Sequence, residues 1–450
     1  WSRYAPPCVA TFEGDNGGAT SHGVTEDTIT IVVGFGNAAE NRAIQALAGN
    51  ATPNDKEWAE TIRKYAELFN TQFETYGRKV VVKTYEMRSD YILADMGRDT
   101  ASAQADARTA KDMGAFADLT ALTNTSSAPY GDELSRLGIV NWSYPLRAAP
   151  YYEANAPYAY NFLLDGSKWA KWAADLVCMR MEGLPAVYGG ADVRAKTREF
   201  GLVELNLPSW KETTALTRRL LREQCGVTPV SVSYNFDLGT FFQYGASMMS
   251  QMRQQGVTTI LCPCDPLGPI FMTQAASQSG YFPEWIFHHQ GIVAQNYDAK
   301  QMAHALSTSP ALPELGRTEA LRAYHLAYPG ETPPSRAYFA WIYGILLQFF
   351  SAVQMAGPNL TPATFHEAMA SLPTSQEGGD YGPWWGVADG PYGGQATPWT
   401  ASQVTWWDAG AIAPDGSKGY WAPCAGNTFF SFGDLRTWEP KGEQLPCFGR

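Results

Sequence analysis

Residues 23–36, GVTEDTITIVVGFG, constrain the fold more than any other stretch. Gly23 marks a turn, and Ile29, Ile31, Val32 and Val33 then run into Gly34-Phe35-Gly36. A short apolar, β-branched run between turn signals is the pattern of a buried parallel strand. Its carboxyl end is glycine-rich, and open α/β sheets place their ligand crevice at that end. The rest of the chain reads as repeats of the same unit.

After a polar loop, Trp58, Ile62, Tyr65, Phe69, Phe73 and Tyr76 recur at helical spacing. Asn54 or Asp55 can cap this helix and Gly77 can stop it. Residues 79–85 (KVVVKTY) read as a strand, 101–113 as an Ala-rich helix and 116–119 as a short strand. A helix near 129–137 leads to a strand at 138–142. This alternation predicts a parallel sheet with helices on both faces. Residues 145–157, rich in Pro and Tyr, read as the crossing into a second lobe. There the rhythm repeats, with strands at 200–205, 230–234, 258–262 and 285–288. Ser209-Trp210-Lys211-Glu212 has the form of a capping box for a helix ending at Gly226. Residues 291–372 read as mostly helical, and the remainder is rich in Gly, Pro and Trp.

With 450 residues the chain is long enough for two lobes. Its net charge of −11 argues against nucleic acid as a partner, since phosphate binding needs basic patches. The seven Cys (8, 178, 225, 262, 264, 424 and 447) form no C-x-x-C pair. Scattered Cys in an acidic chain of this size fit an exported protein with two or three disulfides. Cys424 and Cys447 bracket a loop-rich tail and are expected to pair. Cys262 or Cys264 can supply a partner to Cys225 or Cys178, and the odd count leaves one thiol over. No signal peptide is visible after Trp1, so the expectation is a leader already removed. Residues 337–355 carry no charge and meet the length of a membrane span. Gln348, Ser351 and Gln354 and the absence of a basic flank favour a buried core helix.

Four stretches then carry a family resemblance: residues 23–31 (GVTEDTITI), 77–80 (GRKV), 185–188 (PAVY) and 197–203 (TREFGLV). In order and spacing the chain resembles the type I periplasmic solute-binding proteins of ABC importers, the branched-chain amino-acid-binding group in its actinobacterial form, over about residues 20–375. The resemblance implies two α/β lobes joined by three crossing strands that close on one small ligand without chemistry or cofactor. It implies a monomer outside the membrane, at the cell surface, presenting its solute to an ABC permease. Members of Gram-positive origin are lipid-anchored at a terminal Cys, whereas Cys8 is not terminal. The expected division is a coil at 1–22, lobe one at 23–150 and 291–372, lobe two at 151–290 and 373–410, and an extension at 411–450.

By resemblance, ligand contacts come from loops at the carboxyl ends of the strands. In lobe one these carry Asn37, Thr125, Ser126, Ser127, Trp142, Ser143 and Tyr144. In lobe two they carry Trp210, Tyr234, Asp265, His288, His289 and Gln290. The hydroxyls at 125–127 match a carboxylate-gripping loop, and equally the cap of a helix opened by Pro129. Amino-acid binders set a carboxylate against the ligand's ammonium, but the matching loop here is His288-His289-Gln290. That departure favours an aromatic, cyclic or largely apolar solute facing Trp142, Tyr144, Trp210 and Tyr234, with Trp210→Ala expected to weaken binding in a folded protein. An amino-acid or sensory receptor of the same fold is the alternative. The remaining His lack metal-ligand spacing, so no metal is expected. Gly34-x-Gly36-x-x-Ala39 resembles a dinucleotide fingerprint of a nicotinamide-dependent oxidoreductase. However, a long loop follows where a helix should open, and no acid ends a strand ~20 residues on.

Overall fold

The computed structural model describes residues 2–37, 54–123, 125–142, 147–237, 239–288, 294–309, 319–335, 338–373, 399, 401–424, 430–431 and 447. Its first sheet has the order β2-β1-β3-β4-β5, all parallel. The strands are β1 (Thr28–Phe35), β2 (Lys79–Glu86), β3 (Ala117–Asp118), β4 (Val140–Trp142) and β5 (Ala159–Tyr160). Ile29, Ile31, Val32 and Val33 of β1 are fully buried between β2 and β3. Gly23 leads into this strand with φ +77°, and a Cβ there would meet the Phe116 backbone N at 2.1 Å. No other residue fits so close a backbone approach.

The second sheet runs β12-β11-β10-β9-β8-β6-β7, with β13 (Phe430–Ser431) paired to β11. Its parallel part comprises β6 (Phe200–Leu205), β7 (Val230–Tyr234), β8 (Thr259–Cys262), β9 (Glu284–Phe287) and β10 (Ala305–Ser309). The strands β11 (Ala401–Ile412) and β12 (Lys418–Pro423) then add antiparallel. Three segments therefore differ from the expected division. Residues 159–160 pair with the first sheet, β10 belongs to the second, and β12 extends that sheet into 411–450. The two residues of β5 and the five of β10 are too few for alternation to mark them in sequence.

Helix Asp55–Asn70 starts at a true capping box, Asn54 with Glu57. It packs Tyr65 and Phe69 onto Tyr343 and Phe350 of helix Tyr338–Ala356. That long apolar helix is buried along nearly its whole length, so its hydrophobicity is spent on the first sheet's core. The expected capping box at Ser209 is absent. Helix Pro208–Cys225 opens after Leu207 with Pro208 in its first turn and no side-chain cap. Disulfides join Cys178 to Cys225, Cys262 to Cys264, and Cys424 to Cys447, leaving Cys8 exposed and unbridged. The last pair is the expected one. Cys262 and Cys264 close on each other rather than on Cys178 or Cys225, because helix Gly166–Leu176 lies beside Pro208–Cys225 and brings those two together.

Two arginines from the stretches that carry the resemblance act as latches. Arg78 donates to the carbonyls of Thr25, Pro358, Asn16 and Gly18, pinning the N-terminal coil and a distant loop to the start of β2. Arg198 meets Glu284 in a bidentate pair at 2.8 and 2.9 Å, fully buried. Thr259 and the Tyr188 N–H complete that carboxylate's partners. Trp399, shortly before β11, donates its indole N–H to the carbonyl of Phe162, shortly after β5. The buried Lys168 ammonium in turn donates to the Trp399 carbonyl at 3.1 Å.

Candidate functional site

Of the expected site residues, Asn37, Thr125, Ser126, Ser127, Asp265 and His288 lie in segments that follow strands of the two sheets, and Tyr234 ends β7. In lobe one the loop after β3 is stitched to the end of β1. The Gly34 N–H donates to Thr120 Oγ1 at 2.8 Å, and Thr123 Oγ1 donates to the Gly34 carbonyl at 2.7 Å. A Cβ on Gly34 would reach Met87 Cγ at 2.8 Å and Thr120 Oγ1 at 3.2 Å, so this glycine serves the close approach of the β3 loop. The first described helix after β1 begins only at Asp55. Thr125 Oγ1 bonds Thr123 Oγ1 at 2.7 Å and is spent on this loop. Half-buried Asn37 donates to the Ser89 carbonyl at 3.3 Å.

Ser126 and Ser127 are buried, and Ser127 is the N-cap of helix Ala128–Arg136. Its hydroxyl makes no capping bond and has no partner. The capping duty falls to Asp95, at the end of helix Tyr91–Asp95, whose Oδ1 accepts the Ala128 N–H at 2.5 Å. Burial pushes the Asp95 carboxyl up to about 6. The Ala128 N–H and the Arg147 guanidinium oppose that rise, and Asp132 adds to it. Arg147 is itself buried, pairs through Nη1 with Asp132 Oδ1 at 2.9 Å, and lies over the Tyr151 ring at 3.7 Å. Its Nη2 has no partner. Sequence reasoning missed Asp95 and Arg147. The available signals were an acid in the segment after β2 and a single Arg in the Pro- and Tyr-rich crossing.

Trp142 is a core residue. Its indole N–H donates to Gln348 Oε1 at 2.8 Å, and its ring packs on Tyr160, Phe349 and Phe365. Ser143, Tyr144, His289 and Gln290 lie outside the described residues.

In lobe two, Tyr234 and Asp265 are bound to each other: the buried phenol donates to Asp265 Oδ2. Asp265 Oδ1 accepts the Leu267 and Gly268 N–H groups at 2.8 and 2.9 Å, opening helix Gly268–Gln278. Burial raises the Asp265 carboxyl against these hydrogen bonds. Trp210 is 5% exposed within the core. Trp210→Ala therefore removes core packing of about 3–5 kcal/mol besides any ligand contact. His288 is buried at the end of β9 and stands edge-on to Trp169, 5.7 Å between ring centres. The structure thus groups Thr125, Ser126 and Ser127 on lobe one, and Tyr234 with Asp265 on lobe two. Among the described residues, no group of three His, Cys, Asp or Glu side chains is placed to hold a metal ion.

No family model and no curated relative matches the chain. Solved structures match over nearly its whole length. A fatty acid ABC transporter substrate-binding protein from Thermomonospora curvata superposes with a TM-score of 0.63 at 13% identity, covering 96% of this chain and 98% of that one. A branched-chain amino-acid ABC transporter protein from Thermus thermophilus, solved with valine, gives 0.61 at 12% identity over 91% and 99%. The branched-chain amino-acid transporter substrate-binding protein of Streptococcus pneumoniae, solved with isoleucine, gives 0.57 at 13% identity over 88% and 100%. The two mostly parallel sheets are those of the type I periplasmic-binding fold.

Proposed function

We propose that this protein is an extracytoplasmic solute-binding receptor of an ABC importer. It captures one small organic ligand between the loop sets of its two lobes and delivers it to a membrane permease. The observation that carries this reading is the mutual, near-complete coverage between this chain and substrate-binding proteins of such importers. A ligand that contacts both lobes favours the closed arrangement over the open one by its differential affinity, which is the signal a permease can read. Neighbours named for a fatty acid or solved with valine or isoleucine share ligands with an apolar body, which supports a solute with an apolar body here. The binding is non-catalytic, and the protein works outside the cytoplasmic membrane.

The test is a native mass spectrum set beside the denatured mass. An excess mass released on denaturation, belonging to a small organic solute, is the expected result. A nicotinamide or flavin mass would overturn the receptor reading.

A further inference from the structure

The polar groups of the lobe-one rim come from three separate segments and converge on one helix end. Ser127 caps helix Ala128–Arg136 by position only, and its buried hydroxyl is unpartnered. Arg147 reaches the same end, because Nη1 binds Asp132 one turn along that helix. Its side chain is 7% exposed, yet Nη2 is unpartnered. Two buried donors without acceptors beside the first turns of one helix are costly unless something binds there.

The charge around them narrows what that is. Helix N-termini attract anions, but here the attraction is already met by Asp95 on the Ala128 N–H. Asp132 takes the other arm of Arg147. Two carboxylates, half-buried Asp95 and exposed Asp132, thus stand against one guanidinium, and a third anion beside them would meet net repulsion. A neutral oxygen carries no such penalty and still accepts from both donors. Asp95 is half-buried, and its second carboxylate oxygen can accept an N–H from the group that brings this oxygen.

Resting on the receptor reading above, we infer that Ser127, Arg147 and Asp95 form a subsite for an uncharged carboxamide-type group of the solute, with Arg147 as the residue that sets this specificity. The carbonyl oxygen accepts from Arg147 Nη2 and Ser127 Oγ, and the amide N–H donates to Asp95. The arrangement discriminates against a free carboxylate at the same position.

The test measures thermal shifts of the full chain with matched acids and amides: isovalerate and isovaleramide, phenylacetate and phenylacetamide. At neutral pH at least one amide is expected to raise the melting temperature while its acid does not. Ser127→Ala should leave the unliganded melting temperature unchanged and weaken amide binding about tenfold. Arg147→Lys keeps a charge beside Asp132 but lacks the second arm, and should weaken it about ten- to a hundredfold. Acids that stabilise as well as amides, no shift with any amide, or amide binding unchanged in both variants would each overturn the subsite. A retained solute that lacks an amide also overturns the subsite while leaving the receptor reading intact. A retained redox cofactor overturns both.

Discussion

The starts of helices Gly268–Gln278 and Ala128–Arg136, one in each lobe, use their polar groups in opposite ways. In lobe two, Tyr234, Asp265 and two backbone N–H groups satisfy one another. Behind them Glu284 is filled by Arg198, Thr259 and Tyr188. In lobe one, Ser127 Oγ and Arg147 Nη2 stay unspent at an equally buried place. A closed network rigidifies its surroundings, whereas an open one keeps binding capacity in reserve. Under the proposed subsite, lobe two would serve as a preformed wall and lobe one as the polar grip.

The largest test of that division is Arg198→Ala. It strands Glu284 in the core, and chemical denaturation should show a loss of about 3–5 kcal/mol. A loss below 1 kcal/mol would mean the lobe-two network is not load-carrying, and the contrast would fail. Asp265→Ala comes next: it leaves a buried phenol and two N–H groups unmet, and should cost about 2–4 kcal/mol by the same measurement. Stability within error of the parent would place Asp265 on the ligand side instead.

The smallest effect is a pH profile. Asp95 and Asp118 are both held up to about 6 by burial, above their ordinary range. A raised carboxyl contributes stability below its unfolded value and loses it as pH rises through the folded one. Stability should therefore climb from pH 7 to pH 5, and Asp95→Asn should remove about 1 kcal/mol of that climb. An unaltered profile in denaturation midpoints across this range would show that Asp95 is open to water, and the enclosed character of the grip would need revision.

The architecture was legible where a signal is local. Residues 23–36 announce a central strand because β-branched residues and flanking glycines act over a few positions. The GRKV and TREFGLV stretches marked the family likeness, and the structure explains them by their latches, Arg78 and Arg198. The site was less legible. A Trp at the end of a strand reads the same whether it turns to the core or the crevice, and Trp142 found Gln348, far along the chain. Asp95 and Arg147 reach helix Ala128–Arg136 only because two separate segments are folded onto its first turns. The Cys262–Cys264 bridge was hidden by the assumption that disulfides join distant segments.

The order of the strands also imposes an order in time. The second sheet receives β11 and β12 from residues 401–423, and Trp142 of the first sheet waits for Gln348. Neither lobe can finish its core while the final third of the chain is still being synthesised. Pairings of such long sequence separation form late and slowly. A chain delayed in this way stays pliable until its last strands emerge, which is what passage across a membrane, implied by the proposed receptor role, would require.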